Sequence, residues 1–252
     1  MKLLLLNGWS ASSVMLERFS ACLPSSYELH VLDDIYQFEL PDIISKIDAL
    51  ITPETVLIGW SLGGMLAMYY SSLKDKVTKP KGLIVLSASV SFLERGEGFV
   101  GVKQKDFDDL RKIVQDQDAK SFLRLFTHLL VDGSVCHKAD RVFLKKMFKQ
   151  EALPSWEGLS KGLDYLEKLD LRNIQFPKEL AVLFIFGERD VLVDAMTNLR
   201  ALEGKGRAQF KLIPEMGHFP FGFFSESIAK VFVTFLSFIN DEDNVECGEN
   251  II

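Results

Sequence analysis

From Leu3 to Ile213 the chain alternates short runs of Leu, Val, Ile and Phe with longer segments whose apolar residues recur every three or four positions. The short runs, Leu3–Leu6, Glu28–Leu32, Thr55–Ile58, Gly82–Leu86, Ala181–Phe186 and Gln209–Ile213, read as strands. Most are continuously apolar rather than alternating, as expected of strands buried on both faces of a parallel sheet. The longer segments predict helices at Val14–Cys22, Pro41–Leu50, Leu62–Leu73, Asp194–Leu202 and Ser225–Asn240. Strand and helix in alternation imply an α/β architecture, a mostly parallel central sheet flanked by helices.

The alternation stops at Ser91 and resumes after Arg172. In between, helical periodicity runs without a strand, over Asp106–Gln115, Ala119–Leu130, Lys138–Gln150 and Trp156–Leu169. An open α/β sheet binds its ligands at the carboxyl ends of its strands. The insertion leaves from such an end, so residues 91–172 read as a helical lid over a core formed by 1–90 and 173–240.

With 252 residues and a net charge of −6, the chain has no basic excess to suit a nucleic acid. Much of the charge is local: Asp241, Glu242, Asp243, Glu246 and Glu249 crowd the last residues, so 241–252 is expected to be an acidic, disordered tail. Cys22, Cys136 and Cys247 lack metal-ligand spacing and are too scattered for a disulfide framework, so neither metal nor cofactor is expected. The apolar run Leu3–Leu6 is too short for a signal core or a membrane span. A cytoplasmic protein without membrane attachment is the expectation.

The sharpest local signal is Gly59-Trp60-Ser61-Leu62-Gly63-Gly64, a G-x-S-x-G pattern between a strand and a helix. A serine at so tight a turn presents its hydroxyl at the sheet edge, and flanking glycines remove Cβ atoms that would clash there. A hydroxyl needs a base to take its proton. His30 lies in a strand, and His128 and His137 lie in the insertion. His218 follows the last strand, on the same edge as Ser61. An acid must then orient the imidazole. Asp190 follows Ala181–Phe186 through the turn Gly187-Glu188-Arg189, with Glu188, Asp194, Asp33 and Asp34 as rivals. The order serine, acid, histidine favours Asp190. An oxyanion would be met by two backbone donors: the N–H of Leu62 and, from the loop Asn7-Gly8-Trp9-Ser10, that of Trp9.

With these residues in place the chain resembles the α/β-hydrolase superfamily over essentially its whole length. More narrowly it resembles the pimeloyl-[acyl-carrier protein] methyl ester esterases, carboxylesterases of biotin synthesis. The residues that carry this are Asn7-Gly8-Trp9, the Trp-flanked elbow around Ser61, Gly187-Glu188-Arg189-Asp190, Gly217-His218, and the lid segments Leu144-Lys145-Lys146, Gly162-Leu163 and Leu169-Asp170-Leu171-Arg172. Asn7 departs from the family, which usually has histidine there.

The resemblance implies an α/β-hydrolase fold and hydrolysis of a methyl ester carried on an acyl carrier protein, through an acyl-enzyme on Ser61. It implies a basic lid face for the acidic carrier, to which Arg124, Lys138, Arg141, Lys145, Lys146 and Lys149 are assigned, with Asp140 the one acid among them. Phe122, Leu125, Phe126, Phe143 and Met147 are assigned to an acyl pocket, although helical spacing suits plain core packing equally. Two other functions stay open: a carboxylesterase or enol-lactonase for free small esters, and a non-catalytic binding protein on the same scaffold.

Overall fold

The structure, a computed structural model, describes residues 1–73, 78–96, 98–150 and 152–248, with side chains through Asp241. Six strands form one sheet: β1 (Lys2–Leu6), β2 (Glu28–Leu32), β3 (Thr55–Trp60), β4 (Gly82–Leu86), β5 (Ala181–Gly187) and β6 (Arg207–Ile213). Their order is β2-β1-β3-β4-β5-β6, and every neighbouring pair is parallel. β3, β4 and β5 are buried throughout, whereas β2 and β6 are partly exposed. Those two are the sheet's edges, which is why they carry His30, Gln209 and Lys211 among their apolar residues.

Helices α1 (Glu17–Cys22), α2 (Leu40–Asp48), α3 (Leu62–Ser72), α8 (Ala195–Leu202) and α9 (Ser225–Gly248) belong to the sheet portion. The sequence predicts one helix over Val14–Cys22; a 3₁₀ turn at Ser13–Leu16 instead leads into the short α1. Tight turns of this kind are common at helix starts. The backbone of α9 is helical to Gly248, past the Asn240 boundary expected from the charge run. The rest of the expected tail, 249–252, lies outside the described residues.

The stretch between β4 and β5 holds α4 (Gln104–Gln115), α5 (Ala119–Val131), α6 (His137–Met147) and α7 (Trp156–Lys168). Its two ends meet. Ser91 bridges to Asp170, and the Leu171 N–H donates to the Val90 carbonyl at 2.6 Å. α6 ends at Met147, three residues short of the expected Gln150, so Lys149 falls in the turn beyond it.

Two registers bring the site together. Leu6 stands opposite Gly59 and Trp60 opposite Leu86, so the loops after β1, β3 and β4 start at one level. The chain leaves β1 for β2 on one side and β3 for β4 on the other. The crevice between these diverging loops is where such sheets place ligands, and it holds Gly8, Trp9 and Ser61.

Candidate active site

Ser61 sits between the end of β3 and the start of α3 with φ 54° and ψ −123°. Non-glycine residues rarely adopt positive φ, and the strain persists only where surroundings enforce it. Here they do. The Ser61 N–H donates to the Leu86 carbonyl at 3.0 Å, and its own carbonyl receives the N–H groups of Gly64 and Met65. A Cβ on Gly59 would lie 2.5 Å from the Gly63 carbonyl oxygen, and one on Gly63 would collide with the Leu6 carbonyl. Only glycines let β1, β3 and α3 close this tightly.

Ser61 Oγ lies 2.9 Å from His218 Nε2. His218 Nδ1 lies 2.8 Å from Asp190 Oδ2. The other Asp190 oxygen accepts the N–H groups of Leu192 and Val193, at 2.9 and 3.0 Å, which fixes the carboxylate's orientation. The side chains of His218 and Asp190 are 2% and 1% exposed. With Nδ1 donating to the aspartate, Nε2 is the ring nitrogen left to accept the serine proton. On the core side, Trp60 Nε1 donates to the His218 carbonyl at 3.2 Å.

The rival acids have other work. Glu188 Oε2 accepts the Glu215 N–H. Asp194 caps α8 by accepting the Thr197 N–H at 2.7 Å. Asp33 accepts Asn7 Nδ2 at 2.8 Å and the Ser13 N–H at 2.9 Å. Asp34 Oδ1 accepts the Tyr36 hydroxyl at 2.6 Å, and that hydroxyl accepts the Ser10 N–H at 2.9 Å. Burial, and then the Asp34 carboxylate, push the Tyr36 phenol far above its ordinary range. The other histidines also lie elsewhere: His30 beside Glu28, His128 near Asp132, and His137 against the Ser134 carbonyl.

These contacts shape the loop after β1. Asn7 is fully buried, and its Oδ1 accepts the Gly8 N–H at 3.1 Å while its Nδ2 holds Asp33. A neutral amide thus ties this loop on both sides, to Gly8 within it and to Asp33 beyond β2. Ser10 takes φ 55° under the hold of Tyr36. Trp9 reaches up into the helices between β4 and β5: Nε1 donates to the Leu159 carbonyl at 2.9 Å, and its ring packs edge-on against Phe122 and Phe126. Among the described residues the N–H groups of Trp9 and Leu62 have no protein acceptor. Leu62 opens α3, so its donor also carries the positive end of that helix.

Above Ser61 lies a cavity of about 30 Å³, walled by Trp9, Trp60, Phe92, Leu110, Phe126, Leu129, Leu130, Leu166 and Leu192, with Gly8, Ser61 and His218 at its base. Of the five residues expected in an acyl pocket, Phe126 lines it. The other four do not, Leu125 being half-buried against the core. Phe122 is fully buried against Trp9, Phe126 and Trp156. Phe143 packs on Phe219 beneath the Arg18 guanidinium. Met147 borders a separate cavity beside Ser10 and Phe148. All four follow helical spacing, but that spacing turns them toward core contacts. Phe92, Leu110 and Leu192 were legible only by position, on segments leaving the sheet's carboxyl edge.

Arg124, Lys138, Arg141, Lys145, Lys146 and Lys149 are all exposed. Lys138, Arg141, Lys145 and Lys149 follow three- and four-residue steps, so they share one outer stripe along α6 and its exit. Among the described residues none of the six has a carboxylate within ion-pair distance. Asp140, counted with them in the sequence, is 1% exposed and faces inward.

Among the described residues no cluster of metal-type side chains occurs, and no helix is long and apolar enough to cross a membrane. The chain is 28% identical over 244 residues to a pimeloyl-[acyl-carrier protein] methyl ester esterase of Xanthomonas axonopodis pv. citri, covering 93% of this chain and 94% of the relative. A protein of the same name from Stenotrophomonas maltophilia is 28% identical over 251 residues, covering 96% and 95%. An esterase structure from Exiguobacterium antarcticum superposes with a TM-score of 0.77 at 20% identity, covering 94% of this chain and 92% of that one. An enol-lactonase structure from Burkholderia xenovorans LB400 gives 0.76 at 12% identity, covering 94% and 91%. The alpha/beta hydrolase fold family matches residues 3–224, and the chain belongs to that family.

Proposed function

We propose that the protein is a serine carboxylesterase that hydrolyses the methyl ester of a pimeloyl group carried on an acyl carrier protein. The observation that carries the hydrolytic part is the hydrogen-bonded line Ser61–His218–Asp190 at the floor of an apolar cavity. The relatives named for that ester, matched over nearly the whole chain, support the choice of substrate.

In this reading His218 Nε2 takes the Ser61 proton as Oγ attacks the ester carbonyl. The N–H groups of Leu62 and Trp9 receive the oxygen that becomes negative. Collapse expels methanol, which leaves with the proton held by His218. Water then attacks the acyl-enzyme, again giving its proton to His218, and the free acid departs as Ser61 is reprotonated. The stripe of Lys138, Arg141, Lys145 and Lys149, with Arg124 and Lys146 beside it, would steer the acidic carrier.

The test compares hydrolysis of methyl pimeloyl-carrier protein with that of a short aryl ester, using wild type and Ser61→Ala. Preference for the carrier-linked ester, lost in the variant, is the expected result. Turnover of the aryl ester alone would move the function to a small-ester hydrolase or lactonase. Activity on neither would leave a binding protein on the hydrolase scaffold.

A further inference from the structure

Resting on His218 as general base, we infer that Asp140 is a positioning residue for that histidine, a strut from the lid helix α6 to the loop that carries it. The loop between β6 and α9 spans 214–224. Its first half is anchored to the core side of the sheet edge: the Arg189 N–H donates to the Met216 carbonyl, and Trp60 Nε1 donates to that of His218. Its second half is held from below by the Ser225 hydroxyl, which donates toward the Phe221 and Gly222 carbonyls, by the Ile228 N–H on the Phe224 carbonyl, and by Phe221 packed on Phe19 and Trp60.

From above, Asp140 Oδ1 accepts the Phe223 N–H at 2.8 Å. The fit is close, since a Cβ on Gly222 would collide with that carboxylate. One turn further along α6, Phe143 packs on Phe219, the residue after His218. Arg18 of α1 completes the junction, its guanidinium 4.6 Å from the Phe143 ring centre and its charge felt by Asp140. Cys136, just before α6, also senses the Asp140 charge.

A carboxyl group in such a position needs a reason. Burial holds its pKa above the ordinary carboxylate range, so the site opposes the charge it contains. An apolar residue would serve α6 better as mere packing. What an apolar residue cannot do is receive the Phe223 N–H. The same helix carries the exposed cationic stripe, so a partner seated there would press on an element bonded directly to the His218 loop.

The experiment measures kcat and KM for a short aryl ester with wild type, Asp140→Leu, Asp140→Asn, Gly222→Ala and His218→Ala, with a melting temperature for each. Asp140→Leu removes the acceptor, and kcat is expected to fall about tenfold or more with KM little changed, because a small misplacement of a catalytic group is costly in rate. Asp140→Asn keeps an oxygen for the Phe223 N–H and is expected to restore most of kcat. Gly222→Ala pushes on the same contact from the loop side and is expected to lower kcat too, which covers the case where Asp140→Leu does not fold. Normal kcat in folded Asp140→Leu, or an Asp140→Asn as slow as Asp140→Leu, would overturn the strut. Undiminished turnover in His218→Ala would instead overturn the catalytic reading on which it rests.

Discussion

In the proposed mechanism Ser61, His218 and Asp190 act on one proton, so their contributions do not add. Ser61→Ala, His218→Ala and Asp190→Asn are each expected to lower kcat for a short ester by roughly 10³-fold or more, the double variants falling scarcely further. Initial rates on folded protein check this, and additive losses would mean the three do not work as a unit. That these three side chains meet was legible because chemistry demanded residue types at set places: a serine between glycines at a strand end, and an acid and a histidine after later strands. The supporting residues were harder to read. Tyr36 and the Asp33-Asp34 pair look like ordinary loop residues, and their contacts with Asn7, Ser10 and Ser13 span at least twenty positions. Tyr36→Phe would leave the Ser10 N–H without its acceptor and Asp34 without that donor. The cost expected is about 1–3 kcal/mol of stability, read by denaturant unfolding, together with a lower kcat if the loop after β1 shifts. Unchanged stability would show that water replaces the phenol.

At the scale of elements, the lid helices meet the core through small residues and single side chains. α7 lies over the loop after β1 because Gly162 has no Cβ; one there would collide with the Trp9 ring and crowd Tyr36. The Trp9 indole on the Leu159 carbonyl and the Tyr165 hydroxyl on the Phe38 carbonyl fasten the same helix. Gly162→Ala therefore sets the helix-forming gain of alanine against overpacking of about 1–3 kcal/mol. We expect overpacking to win, with a lower melting temperature and slower turnover as Trp9 is displaced; a raised melting temperature with full activity would show that α7 slides freely. α6 presents its cations outward, and Lys145→Glu with Lys146→Glu is expected to slow turnover of carrier-linked ester, most strongly at low salt. The short aryl ester should be untouched, and equal loss on both substrates would point to a damaged lid. Helix existence and order were readable from apolar periodicity. Which face of α5 borders the cavity, and that α6 does not border it, were not, because Phe122, Phe126, Phe143 and Met147 obey the same spacing while of these four Phe126 alone lines it.

For the molecule as a whole, the helices between β4 and β5 and the sheet edge enclose a space in which, among the described residues, Ser61 and His218 are the polar side chains not already bonded into the wall, the Trp9 and Trp60 indoles being engaged by backbone carbonyls. Every other lining residue is apolar or glycine. Such a space admits a neutral ester and disfavours a carboxylate, since a buried ion without a partner is expensive. The reaction proposed turns the first into the second, so hydrolysis would convert a well-accommodated group into a poorly accommodated one and favour its departure. The consequence is measurable with a free medium-chain carboxylic acid as competitor against a short aryl ester. Above its solution pKa, near 4.5 for a simple carboxylic acid, the acid must take up one proton to bind as the neutral form. Each unit of rising pH then makes the required protonation state about tenfold rarer. The inhibition constant is expected to rise about tenfold per unit between pH 7 and 9, while that of the matching primary alcohol stays flat. An inhibition constant for the acid that does not change with pH would mean that the anion itself is held, with the Leu62 and Trp9 N–H groups at the cavity base as its donors, and would overturn the neutral-pocket account.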